Sequence, residues 1–135
     1  MKTLLKSIAL TACLLTTIVW AQIPDTQRSL GISYISGGVG EGESTAILAE
    51  AKQWPLLLEL SQLENGRGVW IFGSQIKITN SKGAVIFDAK ADGPYMLVNL
   101  DAGDYVIQAS YQGVEQKRAI SIKAAQPQKI SIFWK

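Results

Sequence analysis

The chain has 135 residues, no histidine and one cysteine, and its 13 basic residues stand against 11 acidic residues. The lack of histidine excludes Ser-His-Asp and Cys-His catalysis, and it argues against zinc, whose sites need Cys or His in nearly every arrangement. Lys2 and Lys6 lie in an N-terminal targeting segment, so the rest of the chain has no net formal charge. This balance gives no cationic surface for nucleic acid.

Residues 1–21 have the pattern of a secretory signal peptide. A basic start precedes a stretch of apolar or small residues from Ser7 to Trp20, and Val19-Trp20-Ala21 places small residues where a signal peptidase reads. We predict cleavage after Ala21, export to the periplasm or beyond, and no stable membrane span in the mature form. The run ending at Cys13 also resembles a bacterial lipoprotein box, so lipid anchoring at Cys13 is the alternative.

The segment 22–53 precedes the regular part of the chain. Gln22 to Leu30 is polar and predicts a flexible lead-in, and the alternation from Gly31 to Ser36 predicts an edge strand. A glycine-rich loop, Gly37 to Glu43, comes next. Ser44 to Gln53 then predicts one short helix, capped by Ser44 or Gly42, and ended by Trp54-Pro55 because a residue before proline avoids the helical region.

Residues 54–135 are predicted to form strands and turns throughout. Four glycines recur every ten residues and close short polar turns between apolar runs, namely Gly83, Gly93, Gly103 and Gly113. This spacing is typical of a sandwich, and Asn65-Gly66 is a strong hairpin signal. Alternation places Ile76 and Ile78 toward the core, and Ile130 to Trp134 predicts a last strand. We predict an all-β, antiparallel sandwich of about seven strands with one short N-terminal helix.

The stretch from Gln75 to Gly113 carries a recognisable motif. Leu100, Gly103 and Tyr105 form a "leucine, two residues, glycine, any residue, tyrosine" run that leads into a strand. This resembles the carboxypeptidase regulatory-like domains, which belong with the prealbumin-like (transthyretin-like) sandwiches. The resemblance implies a prealbumin-like (Ig-like) sandwich and no particular activity. The branch of that superfamily that hydrolyses 5-hydroxyisourate uses histidines, so that activity is not implied. We expect Gly103 to take a positive φ.

The loop from Gly37 to Glu43 is the first candidate site. Its members Gly37, Gly38, Gly40, Glu41 and Glu43 offer backbone N–H groups and two carboxylates to a partner. The loop fails as a dinucleotide fingerprint, because Glu43 occupies the third glycine position and no parallel βαβ unit follows. The competing interpretation is structural: the glycines let a flexible connection turn sharply.

The tryptophans form the second candidate site. Exposed aromatic side chains stack on sugars or anchor protein partners, whereas buried ones fill a core. The core interpretation is favoured, because Trp70 shares a face with Phe72 and Trp134 shares one with Ile132. Trp54 is expected to pack the helix onto the sandwich. Trp70 is retained as a candidate contact residue.

The acidic residues predict no metal site. Asp88, Asp92, Asp101 and Asp104 could approach one another at one end of the sandwich, but their spacing matches no calcium loop and turn aspartates usually accept local N–H bonds. We predict no cofactor and no enzymatic activity. The sequence favours an exported binding or accessory module that contacts another exported or envelope protein. The alternative is a module that binds carbohydrate or cell wall through exposed aromatic residues.

Overall fold

A computed structural model describes residue 13 and residues 22–135, so the predicted signal peptide and its cleavage site lie outside the described residues, Cys13 apart. Within the described part, ten strands form two sheets. The strands are β1 (Gln27–Ser29), β2 (Ile32–Gly37), β3 (Leu56–Glu64), β4 (Arg67–Trp70), β5 (Gln75–Asn80), β6 (Val85–Lys90), β7 (Tyr95–Val98), β8 (Gly103–Tyr111), β9 (Val114–Ile122) and β10 (Gln128–Trp134). The predicted all-β sandwich with one short helix is confirmed, although ten strands are present where about seven were expected.

The two sheets differ in how their strands are joined. The first sheet has the order β1-β2-β7-β3-β10, with β4 also paired to β3, and the second has the order β6-β5-β8-β9. Every named strand pair is antiparallel except β10 with β3, which run parallel from Gln128 opposite Leu56 to Trp134 opposite Gln62. Both β1 and β2 belong to the first sheet, so the sandwich includes residues 27–37, part of them predicted as a flexible lead-in.

The main core lies between the two sheets. Ile76 and Ile78 have no exposed surface, which confirms the inward face predicted from alternation, and Ile107 is equally buried. Tyr34 of the first sheet meets Phe87 of the second edge-to-face, with ring centroids 5.2 Å apart. The edge-to-face geometry suits the charge distribution of aromatic rings and adds to the burial of their area.

A short helix covers part of the outer face of the first sheet. The helix α1 (Glu41–Glu50) continues into a 3₁₀ turn (Ala51–Gln53), and its Ile47 is fully buried in a second cluster. That cluster also contains Ile35, Leu57, Tyr95 and Leu97. The first sheet is therefore apolar on both faces here, which explains the unbroken apolar runs of β3 and β7.

The helix begins three residues before the predicted Ser44. The Ser44 N–H donates to the Gly40 carbonyl at 3.1 Å, which makes Gly40 the N-cap. The Ser44 hydroxyl donates to the Glu41 carbonyl and caps nothing. The predicted end is confirmed, since Trp54 is extended with φ −113° and ψ 143°.

The leucine–glycine–tyrosine motif closes the turn before β8. The Tyr105 hydroxyl donates to the Asp101 carbonyl at 2.8 Å, and the ring lies over Gly103, where an added Cβ would meet the hydroxyl at 3.6 Å. Gly103 has φ +156°, so the predicted positive φ is confirmed. Leu100 is buried in the main core. The three residues thus fasten the end of the sandwich, much as a tyrosine corner does in Ig-like domains.

Candidate functional site

One row of side chains crosses the outer face of the first sheet beyond the reach of the helix. Trp70 of β4 and Phe133 of β10 each lie directly opposite Ser61 of β3, on either side of it. Cross-strand partners share a face, so all three side chains stand on the same side of the sheet. Trp70 is 51% exposed and Phe133 is 42% exposed. Leu63 stands two residues after Ser61 on this side and is also exposed. We call these four residues the aromatic face.

The aromatic face has low relief. Two strand spacings separate Trp70 from Phe133, or about 10 Å between their backbones. Only the small Ser61 lies between them. Gly68, opposite Leu63, has no side chain, and a Cβ placed there would have the Ser61 hydroxyl at 4.0 Å as its nearest neighbour. The surface between and beside the two aromatic residues therefore carries little side-chain bulk.

Trp70 is positioned by a contact with Tyr95, a member of the cluster under the helix. Its ring meets Tyr95 edge-to-face, with centroids 5.9 Å apart at 63°. Tyr95 is buried in the cluster under α1. Among residues 22–135, the indole N–H of Trp70 donates no hydrogen bond, whereas those of Trp54 and Trp134 donate to Glu50 and to the Val114 carbonyl. Trp70 is therefore a positioned ring with a free donor.

An ion pair adjoins the aromatic face. The Lys129 ammonium lies 2.8 Å from the Glu59 carboxylate, and Glu59 precedes Ser61 by two residues on the same side of β3. The hydrogen bond to Glu59 raises the pKa of Lys129 above its ordinary value. Burial, with a smaller contribution from Glu59, raises the pKa of Tyr95. The two charges of the pair compensate each other, so this part of the surface has no net charge.

The predicted core position of Trp70 is wrong. Ile71, not Trp70 or Phe72, turns into the main core, and the two aromatic residues on either side of it are exposed. Because all four residues from Val69 to Phe72 are apolar, the sequence alone does not show which of them face the core. The predicted burial of Trp134 is confirmed at 3% exposure. Trp54 packs against the cluster under α1, as predicted.

Three of the five glycine-loop candidates have internal roles. The Gly38 N–H donates to the Glu43 carboxylate at 2.8 Å, so Glu43 ties the loop to the first turn of α1. A Cβ on Gly37 would overlap that carboxylate, and one on Gly38 would overlap the Tyr95 ring. Gly40 and Glu41 are exposed. These contacts support the structural interpretation of the loop, and they place it beside Tyr95, the residue that also supports Trp70.

At both long edges of the sandwich, side chains of the opposite sheet bond individual backbone groups. The Ser29 hydroxyl bonds the carbonyl and the N–H of Asp88 on β6, at 2.7 and 3.0 Å. At the opposite edge the Trp134 indole donates to the Val114 carbonyl of β9 at 2.9 Å, and Gln116 donates to the Phe133 carbonyl of β10. The edges thus offer an approaching strand fewer free backbone groups than an open edge would.

The aspartates do not converge. The Asp88 carboxylate accepts a bond from Gln75, and the Asp104 carboxylate accepts one from Ser121. In the part of the chain that the structure describes, no three His, Cys, Asp or Glu side chains are grouped as a metal site would require. No helix of that part is long and apolar enough to cross a membrane.

Sequence reasoning overlooked Phe133. Alternation along β10 offers the signal, because Ile132 and Trp134 point inward and Phe133 must then point outward. Its position beside Ser61 depends on the parallel pairing of β10 with β3, which no local pattern predicts.

Comparison with known protein families finds no family that matches this chain, and a search of curated proteins finds no significant match. By its fold and surface the protein is an all-β sandwich with an aromatic face on its first sheet.

Proposed function

We propose that this protein is an exported, non-catalytic binding module and that the aromatic face is its contact surface. The exposure of Trp70 carries the proposal. A tryptophan that is half exposed on a flat sheet loses hydrophobic stabilisation unless something covers it, and Tyr95 positions its ring for contact. Tryptophan is also among the residues that contribute most to binding at protein interfaces.

A non-catalytic role agrees with the available side chains. The sequence has no histidine, and its single cysteine lies within the proposed signal peptide. Glu59, which lies two residues before Ser61 on the same side of β3, is paired with Lys129. We further propose kinship with the carboxypeptidase regulatory-like domains, supported by the contact of Tyr105 with Asp101 over Gly103.

The first candidate partner is another exported or envelope protein, since aromatic residues are enriched where proteins meet. The second candidate partner is a glycan. It is supported by the row of Trp70, Ser61 and Phe133, which presents two aromatic rings with a small polar residue between them. A role for the glycine loop would have to rest on Gly40 and Glu41, the loop candidates that are exposed.

Capture from an envelope extract tests the proposal. The mature protein is immobilised, and bound protein and polysaccharide are both analysed. Trp70→Ser should abolish capture of the specific ligand, whereas Val106→Ser, an exposed residue on the second sheet, should leave it intact. Equal capture by the Trp70 variant and the unaltered protein would refute the proposal that the aromatic face is the contact surface. If Glu41→Ala abolishes capture, the loop from Gly37 to Glu43 would instead be the contact surface.

A further inference from the structure

We propose that the aromatic face binds a neutral, extended polysaccharide chain that crosses the strands of the first sheet, with one sugar ring on Trp70 and another on Phe133. This inference rests on the proposed function and names the class of ligand. Its basis is the geometry of one row of three side chains.

The spacing of the two aromatic residues fits alternate sugars. Trp70 and Phe133 are two strands apart, about 10 Å between their backbones. This is close to the length of two sugar units in an extended β-1,4-linked chain. Successive units in such a chain are turned over, so alternate units present the same face to a surface. A chain running along the row would therefore place matching apolar faces over both rings.

The residue between the rings suits the middle sugar. Ser61 is small enough to leave room for that unit, and its hydroxyl can exchange hydrogen bonds with sugar hydroxyls. The indole N–H of Trp70, which donates to no group among residues 22–135, supplies a further donor. Each sugar of a bound trisaccharide thus meets either an aromatic ring or a polar group.

The charges beside the row favour a neutral chain. Glu59 and Lys129 compensate each other at 2.8 Å, so neither offers an uncompensated charge to an acidic polymer. Both keep hydrogen-bonding capacity toward sugar hydroxyls, as does Ser131, which lies opposite Glu59 on the same face. A uronic acid polymer would place carboxylates beside Glu59, and the cation that lies against Glu59, Lys129, is already paired with it.

An open row on a sheet face favours a sugar chain over a protein. Residues that dominate protein interfaces are usually enclosed in packed pockets from which water is excluded. Here both aromatic residues stand on a sheet surface with a serine between them and an ion pair alongside. Flat stacking on pyranose faces needs no pocket.

Calorimetric titration of the mature protein with oligosaccharides of two to six units tests the inference. The cello-, N-acetylated chito- and manno- series supply neutral chains, and polygalacturonate supplies an acidic one. We expect at least one neutral series to bind, with affinity rising sharply between the disaccharide and the tetrasaccharide, because three units are needed to reach both rings.

Two variants check the contact residues. Trp70→Ala and Phe133→Ala should each weaken hexasaccharide binding by about tenfold, and Val106→Ala should not change it. Circular dichroism confirms that each variant is folded, and Trp70→Tyr, which keeps a ring, should retain much of the affinity. Absence of binding to all three neutral hexasaccharides, equal affinity for the disaccharide, or tighter binding of polygalacturonate would overturn the inference.

The capture experiment separates the two levels of the proposal. If no oligosaccharide binds but capture of an envelope protein still depends on Trp70, only the glycan inference fails. If neither ligand class depends on Trp70, the proposed function fails with it.

Discussion

The backbone of Gly37 lies directly against Gly93, so that a side chain on residue 93 would overlap the Gly37 carbonyl oxygen. The contact joins the end of β2 to the turn before β7. Gly93 belongs to the series of glycines spaced ten residues apart, yet its φ is not positive. Close packing, rather than a turn conformation, thus accounts for glycine at this position.

Gly93→Ala should destabilise the fold strongly. The added methyl group would meet backbone, which cannot rotate away, so we expect a loss of about 3 kcal/mol in the free energy of unfolding. Urea unfolding measures it. Gly68→Ala is the matched control, because its Cβ would make one ordinary contact, with the Ser61 hydroxyl at 4.0 Å, and it should change stability by no more than about 0.5 kcal/mol. Equal stability of the two variants would contradict the packing of Gly37 on Gly93.

Glu43 and Glu41 should differ in their effect on stability, although both lie in the first turn of α1. Glu43→Ala removes the acceptor of the Gly38 N–H and should cost about 1–2 kcal/mol. The Glu41 carboxylate accepts no hydrogen bond among the described residues, and its backbone carbonyl, which Ser44 and Thr45 bond, is kept in the variant, so Glu41→Ala should cost less than about 1 kcal/mol, from the helix dipole alone. Thermal unfolding of both variants checks the difference. A larger loss of stability in Glu41→Ala than in Glu43→Ala would contradict a stabilising role for the bond between Gly38 and Glu43.

Tyr105→Phe should weaken the end of the sandwich. The variant keeps the ring over Gly103 but loses the bond to the Asp101 carbonyl, at a cost of about 1 kcal/mol. Tyr111→Phe is the matched control, since the Tyr111 hydroxyl meets only Gln112, at 3.4 Å. Urea midpoints of the two variants should separate accordingly; coincident midpoints would speak against the closure of this turn by Tyr105.

Stability should fall at alkaline pH. Burial raises the pKa of Tyr34, Tyr95 and Tyr105, and the bond to Glu59 raises that of Lys129. The folded state therefore holds these protons more tightly than the unfolded state, and the stabilisation is fully present below about pH 10. It is lost as the pH rises through the raised values. Urea unfolding followed from about pH 8 to about pH 11 checks this, and a constant free energy of unfolding would contradict it.

Most strands could be predicted from local sequence patterns, because the residues that indicate a strand or a turn lie close together in the sequence. Asn65 and Gly66, both with positive φ, form the expected hairpin turn between β3 and β4. The alternation of Ile76 and Ile78 with the polar residues Lys77 and Thr79, which are half-buried, was sufficient to orient β5. The turn before β8 could likewise be predicted, because its signals, Gly103 and Tyr105, are only two residues apart in the sequence.

The features that sequence did not predict depend on distant parts of the chain. The parallel pairing of β10 with β3 brings Phe133 beside Ser61, and neither residue carries a local sign of the other. The exposure of Trp70 depends on where Ile71 enters the core. The double apolar face of β3, visible in Leu56-Leu57-Leu58, was the one available sign that α1 would cover the first sheet from outside.

The indole N–H signals of the tryptophans test the central claim most directly. Residues 22–135 contain Trp54, Trp70 and Trp134, of which only Trp70 lies on the aromatic face. Proton–nitrogen correlation spectra are recorded while the tightest-binding oligosaccharide or the captured partner is added. The Trp70 signal should shift, and the signals of Trp54 and Trp134, held by Glu50 and by the Val114 carbonyl, should stay in place. A ligand that binds and leaves the Trp70 signal unmoved would contradict the assignment of the aromatic face as the contact surface.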